Sequence, residues 1–128
     1  NIAPVEIEDY VKPHTHVGQI CDVGDGKKYL SALIVLDGDG GAEKWAEENA
    51  LEYNISDMSK NSKVIKAIQE QIDEANSKVA RVQQIKKFTL LENEWTDSSG
   101  ELTPTLKLKR NVIAERYKNE IESMYEEA

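Results

Sequence analysis

The hydrophobic residues of the chain follow two different patterns. Short segments rich in apolar residues lie between turn-forming residues at 17–23, 29–36 and 84–91, as is typical of buried β-strands. The first two segments are joined by Gly-Asp-Gly at 24–26, and glycine allows the positive φ that tight turns need. The pattern therefore predicts an antiparallel hairpin followed by a third strand.

The second pattern is a helical spacing of apolar residues at i, i+3 and i+4. It predicts helices at 4–11, 42–51, 63–79 and 111–126. Ser62 precedes the third of them and is a suitable N-cap. That helix carries the cleanest apolar stripe, which consists of Val64, Ile65, Ile68, Ile72, Ala75 and Val79. Such a stripe usually faces a protein core, although a helix that binds a partner has the same pattern.

The order of these elements predicts a small α+β domain. Segments 55–61 and 92–100 show neither pattern, so we expect irregular chain there. A three-stranded sheet packed with about four to five helices is a layered fold of this class. The 128 residues are enough for one such domain. No apolar run reaches about 18 residues, so we expect no membrane span.

Charge and cysteine content narrow the function classes. The chain has 24 acidic and 16 basic residues and a net charge of −8. This balance argues against a general nucleic-acid binder, because binding to a duplex depends on neutralising its phosphates. The single cysteine, Cys21, cannot form an internal disulfide, which suits a reducing cytoplasm. Since it lies in an apolar strand, we expect Cys21 to be a small core residue.

Two segments have part of a metal-binding pattern. His14 and His16 lie in a turn that contains proline, without a cluster of Cys or His partners. The Asp-Gly-Asp-Gly-Gly segment at 37–41 lacks the later acidic ligands of a calcium-binding EF-hand. We therefore predict a turn at 37–41 and no metal site.

Basic residues are concentrated in two places. Lys78, Arg81, Lys86 and Lys87 form one cluster, which is either a solvated edge of the sheet or a site for phosphate groups, since Lys and Arg bind phosphate well. The other is the segment 100–110, Gly-Glu-Leu-Thr-Pro-Thr-Leu-Lys-Leu-Lys-Arg. Its three cations precede the last predicted helix, where they are either a solvated helix N-terminus or a site for an anionic group.

Four segments, in this order and at these separations, carry a resemblance to a known family. They lie at 1–8, 23–35, 84–88 and 102–110. Together they resemble the C-terminal domain of adenylate-forming acyl-CoA synthetases, in the long-chain fatty-acid–CoA ligase branch. The superfamily's closing motif is Gly-Lys-Ile-x-Arg, and Lys107 to Arg110 match its Lys-aliphatic-x-Arg part. Leu106 stands where many members have Gly, which we interpret as a mark of the long-chain branch.

The resemblance implies a different role for each cation of this motif. Lys107 corresponds to the family's catalytic lysine, whereas Lys109 faces solvent and Arg110 ties the loop to the C-terminal helix. The implied enzyme first joins a fatty acid to ATP, which releases pyrophosphate and leaves an acyl-adenylate. It then forms the thioester with CoA. Lys107 would act in the first of these half-reactions.

The resemblance also implies that residues 1–128 are one mobile lid domain at the C-terminal end of a larger AMP-forming ligase. Its partner would be its own N-terminal domain, which would bind most of the fatty acid, ATP with Mg²⁺, and CoA. The chain begins at Asn1 without an initiator Met, and we expect it to be part of a longer cytoplasmic protein. We expect the chain to be inactive by itself, and peripheral contact with the inner face of a membrane stays open.

A competing hypothesis is a stand-alone acidic α+β protein-interaction module without catalysis. In that case the stripe at 64–79 would bind a partner helix. The two hypotheses differ in what precedes Asn1, because only a ligase needs a large domain there.

Overall fold

The computed structural model describes residues 4–13, 17–24, 27–36, 41–48 and 55–126. Its elements, in chain order, are α1 (Pro4–Val11), β1 (Val17–Val23), β2 (Leu30–Leu36), α2 (Gly41–Glu48), α3 (Ile55–Met58), α4 (Ser62–Asn76), a 3₁₀ turn (Arg81–Gln83), β3 (Ile85–Leu90), α5 (Arg110–Arg116) and α6 (Lys118–Ser123). The predicted α+β fold, a three-stranded sheet surrounded by helices, is confirmed.

β2 is the central strand of the sheet, between β1 and β3. It pairs with β1 in the antiparallel direction, with Ile34 opposite Ile20, which confirms the predicted hairpin. It pairs with β3 in parallel, with Ala32 opposite Phe88. Parallel neighbours need a crossover connection, and the segment that contains α2, α3 and α4 provides it.

Each face of the sheet is covered by its own apolar cluster, because successive side chains of a strand point to opposite faces. Ala32, Ile34 and Leu36 of β2 join the cluster that contains α1 and α4. Leu33 and Val35 join a second cluster, which contains α5 and α6. β2 is buried along its whole length as a result of this cover on both sides.

The apolar stripe of α4 faces the core. Its members Val64, Ile68, Ile72 and Ala75 are buried, whereas Ile65 is 38% exposed. The four buried side chains belong to the same cluster as α1 and β2, so they are not available to a partner helix. The structure therefore favours a core role for the stripe over the hypothesis of an interaction module.

The N-cap of α4 is Asn61, so the prediction of Ser62 was wrong by one residue. The side-chain Oδ1 of Asn61 accepts hydrogen bonds from the backbone N–H groups of Lys63 and Val64, at 2.9 and 3.3 Å. Asn61 has an extended backbone conformation, which lets its side chain turn back towards the first helical turn.

Two further segments differ from their predictions. The segment 55–61, expected to be irregular, begins with the one-turn helix α3. The helix expected over 111–126 is divided at Tyr117, whose φ of −106° and ψ of 26° lie outside the helical region. The Tyr117 side chain is buried and bonded to groups outside the helix, which the periodicity of the sequence does not reveal.

Some predictions concern residues outside the described ranges. These are His14, His16, Asp25, Gly26, the turn at 37–40, residues 49–51 of the helix predicted at 42–51 and residues 1–3 of the first segment that carries the resemblance. Within the described ranges, no group of three or more His, Cys, Asp or Glu side chains could hold a metal ion. No helix in this part of the chain is long and apolar enough to cross a membrane. Cys21 is buried in the second cluster, as expected.

Candidate functional site

The segment 100–110, which we call the Lys107 loop, is a compact hairpin. Leu102 and Leu108 form an antiparallel bridge, and the Thr103 N–H donates to the carbonyl of Lys107 at 2.8 Å. The Leu106 N–H donates to the carbonyl of Thr103, also at 2.8 Å, which closes a four-residue turn. Pro104 occupies the second position of this turn, where its fixed φ is favourable.

Leu106 has the backbone conformation that ends a three-residue hairpin loop. Its φ is +64°, in the left-handed region that follows a tight turn in such loops and is usually occupied by glycine. Its side chain is 61% exposed, so little packing compensates for the strain. The geometry explains why glycine suits this position of the closing motif, whereas leucine occupies it at a cost in backbone strain.

The side chain of Thr103 completes the turn. Its Oγ1 accepts a hydrogen bond from the backbone N–H of Lys107 at 3.0 Å and lies 3.1 Å from the Oγ1 of Thr105. The backbone of Lys107 is therefore held on both sides, through its carbonyl and through its N–H. The two threonines and the proline of this segment are the residues that shape the loop.

The N-terminal end of the Lys107 loop is fixed by Glu101, which is only 3% exposed. Its carboxylate accepts hydrogen bonds from Arg116 Nη1 and from the Tyr117 hydroxyl, each at 2.9 Å, and a further bond from Ser99 Oγ. Burial by itself opposes the charged form, but these three hydrogen bonds outweigh it and lower the pKa of Glu101. Glu101 thus joins the loop to α5 and to the break before α6.

The C-terminal end of the loop is fixed by Arg110. Its guanidinium binds the Glu8 carboxylate through two hydrogen bonds of 2.8 and 3.0 Å. Its Nη1 also lies 3.6 Å from Asp22 Oδ1 and 3.7 Å from the Cys21 sulfur. The prediction that Arg110 has a structural role agrees with these contacts, but the partner was wrong. Arg110 binds α1 and β1, rather than tying the loop only to the C-terminal helix.

The ionisable groups around Arg110 are unsuited to nucleophilic chemistry. Burial raises the pKa of the Cys21 thiol to about 12, so the reactive thiolate is scarce near neutral pH. Burial, and then the neighbouring Glu8 carboxylate, raise the pKa of Asp22 to about 8. These groups form a buried cluster inside the domain, so we assign them a structural role.

Lys107 and Lys109 both have exposed side chains. Leu108, between them, is partly buried against the second cluster. Within the described part of the chain, neither ammonium group takes part in a hydrogen bond or an ion pair. The loop therefore presents cations to its surroundings from a backbone that is fixed at both ends. One of these cations can bind an anionic group on another domain or molecule.

The structure separates the basic cluster that the sequence grouped together. Lys78 lies 3.8 Å from Glu74, and Lys87 lies over the Tyr29 ring at 6.0 Å. Arg81 and Lys86 instead line an open cleft of about 360 Å³, which they share with residues of the β1–β2 connection. The four cations do not converge on one site.

Sequence reasoning missed two residues that help to hold the Lys107 loop, Asp22 and Glu101, although each left a signal. Asp22 is an acidic residue inside an otherwise apolar strand, which indicates a buried polar contact. Glu101 directly precedes the closing motif, but its partners lie 15 and 16 residues further along. The identity of those partners depends on the fold.

Comparison with known proteins places the whole chain in one family. Residues 1–128 match the family model described as AMP-binding enzyme C-terminal domain. The chain is 35% identical over 127 residues to long-chain-fatty-acid–CoA ligase FadD15 of Mycobacterium tuberculosis, covering 98% of this chain and 21% of that protein. It is 36% identical over 148 residues to long-chain-fatty-acid–CoA ligase ACSBG2 of Gallus gallus, covering 100% of this chain and 19% of that protein.

A solved structure shows the same fold. The chain resembles the adenylation domain of a carboxylate reductase from Mycobacterium chelonae, with a TM-score of 0.74 and 20% identity over 97% of this chain and 18% of that one. This chain thus spans about a fifth of the length of the curated relatives it matches. The family match over all 128 residues and the agreement in fold lead to one conclusion: the chain belongs to the AMP-binding enzyme C-terminal domain family.

Proposed function

We propose that this chain is the C-terminal domain of an AMP-forming long-chain fatty-acid–CoA ligase and that Lys107 acts in its adenylation step. The relatives that carry this enzyme name match nearly the whole chain. The proposed role of Lys107 is supported mainly by the structure of the Lys107 loop. An exposed lysine with no partner among the described residues lies in the closing motif, on a hairpin anchored by Glu101 and Arg110.

The chemistry of adenylation calls for such a cation. A fatty carboxylate attacks the α-phosphate of ATP, so two anions must meet while negative charge grows on the phosphoryl oxygens. A preorganised ammonium lowers this barrier, and the loss of one such donor typically costs about 3 kcal/mol. The long side chain of a lysine on an exposed loop suits a charge that a separate domain delivers.

The remaining parts of the reaction belong to the rest of the enzyme. ATP, the fatty acid and CoA would be bound mainly by the preceding N-terminal domain. Mg²⁺ would accompany ATP there. When bound, Mg²⁺ would neutralise phosphate charge, and Lys107 would add its own charge from the opposite domain.

This domain would also have to move. Lys107 would face the α-phosphate during adenylation and withdraw for thioester formation, as a rigid-body switch between two orientations. The chain by itself would then be inactive, and thioester formation by the isolated chain would contradict the proposal. We propose a cytoplasmic location for the enzyme, and peripheral contact with the inner face of a membrane stays open.

The decisive experiment replaces Lys107 by Ala in the full-length protein and assays the two half-reactions separately. Pyrophosphate release from ATP and a fatty acid reports adenylation, whereas thioester formation from supplied acyl-adenylate reports the second step. We expect Lys107→Ala to lower adenylation by about two orders of magnitude and to leave thioester formation largely unchanged. Equal loss in both half-reactions would contradict the role of Lys107.

Lys109→Ala is the matched control. It removes the same charge and the same side chain two residues further along, on the other side of Leu108. We expect it to leave both half-reactions close to wild type. A larger effect of Lys109→Ala than of Lys107→Ala on adenylation would transfer the catalytic role to Lys109.

A further inference from the structure

Arg110 connects the end of the Lys107 loop to the beginning of the chain. It lies three residues after Lys107 and binds Glu8, which is 102 residues away in the sequence. Both terminal nitrogens of the guanidinium take part, Nη2 with Glu8 Oε1 at 2.8 Å and Nη1 with Oε2 at 3.0 Å. A bidentate pair of this kind fixes orientation as well as distance.

The Glu8 carboxylate is itself held in place. Its Oε2 also accepts a hydrogen bond from the backbone N–H of Asp22 at 2.8 Å, and its side chain is only 9% exposed. The Asp22 carboxylate is 2% exposed and lies 3.6 Å from the guanidinium. Arg110 is therefore fixed to α1 and to β1 at once.

A contribution to the stability of the fold does not by itself explain the cluster of Glu8, Asp22 and Arg110. Removing charges from water is costly, and well-packed apolar residues often stabilise a fold as well as a buried ion pair does. An apolar contact would not define the direction of the chain at Arg110, whereas the bidentate pair does. The N-cap Lys109 makes no side-chain cap hydrogen bond, so the Arg110 side chain supplies side-chain contacts that hold the start of α5.

The loop between the two anchors is short and internally bonded. The Lys109 N–H donates to the carbonyl of Glu101 at 2.8 Å, which joins the two ends of the loop. A shift of Arg110 would therefore be transmitted to Lys107 through only two intervening residues, Leu108 and Lys109. The position of the Lys107 backbone, from which the side chain extends, therefore depends on where Arg110 is held.

We propose that Glu8 and Arg110, supported by Asp22, are positioning residues that aim Lys107 for adenylation. The inference rests on the proposed function, because it needs Lys107 to act on ATP. Glu8 is buried, and the Arg110 guanidinium is directed towards Glu8 and Asp22 of the same domain, so we infer that the pair acts through the loop. Their loss should lower kcat of adenylation rather than raise KM for ATP, since ATP would be bound by the other domain.

The test is a double-mutant cycle in the full-length protein. Arg110→Gln and Glu8→Gln are each introduced into the wild type and into Lys107→Ala, and both half-reactions are measured. In the wild type we expect adenylation kcat to fall about ten- to a hundredfold, as for a catalytic group displaced by about 1 Å. In the Lys107→Ala background we expect no further loss. Thioester formation from supplied acyl-adenylate should stay close to wild type throughout.

Two further variants separate positioning from folding. Arg110→Lys keeps the charge but loses the planar fork, so adenylation should recover only in part. Lys60→Gln removes the exposed Lys60–Glu92 ion pair and should leave both half-reactions unchanged. Thermal unfolding of each full-length variant shows whether it folds. If Arg110→Gln does not fold, Glu8→Gln still tests the inference, because glutamine keeps the shape of glutamate and a hydrogen-bond acceptor.

Three outcomes would overturn the inference. Equal loss in both half-reactions would mean that the ion pair only stabilises the domain. A further loss of adenylation in the Lys107→Ala background would mean that Arg110 does not act through Lys107. If the single variant Lys107→Ala keeps its adenylation activity, both the proposed function and this inference are overturned. The result for this variant therefore distinguishes a failure of the proposed function from a failure of the inference.

Discussion

Tyr117 donates its hydroxyl hydrogen to the buried carboxylate of Glu101 over 2.9 Å. The same hydroxyl oxygen accepts the indole N–H of Trp95 at 3.1 Å. The bond to Glu101 joins the break between α5 and α6 to the start of the Lys107 loop. One hydroxyl group therefore satisfies two buried polar groups, and its removal would leave the N–H of Trp95 without its partner.

We expect Tyr117→Phe to lower the free energy of unfolding of the chain by about 1–3 kcal/mol, the usual cost of an unpaired buried polar group. The loss should stay partial, because Glu101 keeps its bonds from Ser99 and Arg116. Urea unfolding measures the change. Tyr10→Phe is the control, since the Tyr10 residue is 36% exposed, and an equal loss in both variants would contradict the role of the Tyr117 hydroxyl.

The Glu101 network should make stability depend on pH in the acid range. The pKa of Glu101 is lower in the folded chain than its ordinary value of 4.5, so its contribution is present above that value and disappears as the pH falls through the folded pKa. We expect Glu101→Gln to be less stable than wild type at pH 7 and the difference to narrow below about pH 4.5. Unfolding free energies measured from pH 7 to pH 3 test this. A difference that stays constant over the range would contradict it.

Asp22 should make stability depend on pH in the opposite direction. Burial, and then the Glu8 carboxylate, raise its pKa from 3.8 to about 8. The folded chain therefore binds a proton that the unfolded chain releases, and the contribution of Asp22 is present below 3.8 and is lost as the pH rises through about 8. The Oδ2 of Asp22 is buried without a hydrogen-bond partner, so the ionised form is poorly compensated there.

We accordingly expect Asp22→Asn to stabilise the chain relative to wild type as the pH rises from 5 to 9. The amide has the shape of the protonated carboxyl and can donate to Glu8, but it does not ionise. Denaturant unfolding at several pH values gives the free energy of unfolding of wild type and of Asp22→Asn as a function of pH. Parallel curves would show that Asp22 does not titrate in this range. Cys21 and Arg110 also face this cluster, but in the folded chain neither is expected to change its charge below pH 9. Ionisation of the Cys21 thiol in the unfolded chain affects wild type and Asp22→Asn alike.

The fold was largely predictable because its elements have distinct local patterns. The apolar run that became β2 and the stripe of α4 each reflect burial that one segment experiences along its own length. The parallel pairing of β3 with β2 has no such local signature. It results from the crossover and from the cover of both faces of the sheet.

The candidate site was predictable only in its most local part. The motif around Lys107 is contiguous, so a resemblance could locate it. The residues that hold the loop are contributed from α1, from β1 and from the helix break at Tyr117. A single sequence contains many acids that could bind Arg110, and only the folded chain shows that Glu8 is the one that does.

The strained conformation of Leu106 gives a final prediction about the loop. A left-handed φ costs a residue with a Cβ about 1 kcal/mol or more, a cost that glycine avoids. Since the Leu106 side chain is 61% exposed, shortening it removes little packing. We expect Leu106→Gly to be more stable than Leu106→Ala by about 1 kcal/mol, even though glycine loses more chain entropy on folding. Urea unfolding of the two variants measures the difference. Equal stabilities, or a more stable alanine variant, would mean that Leu106 does not keep its left-handed conformation in solution.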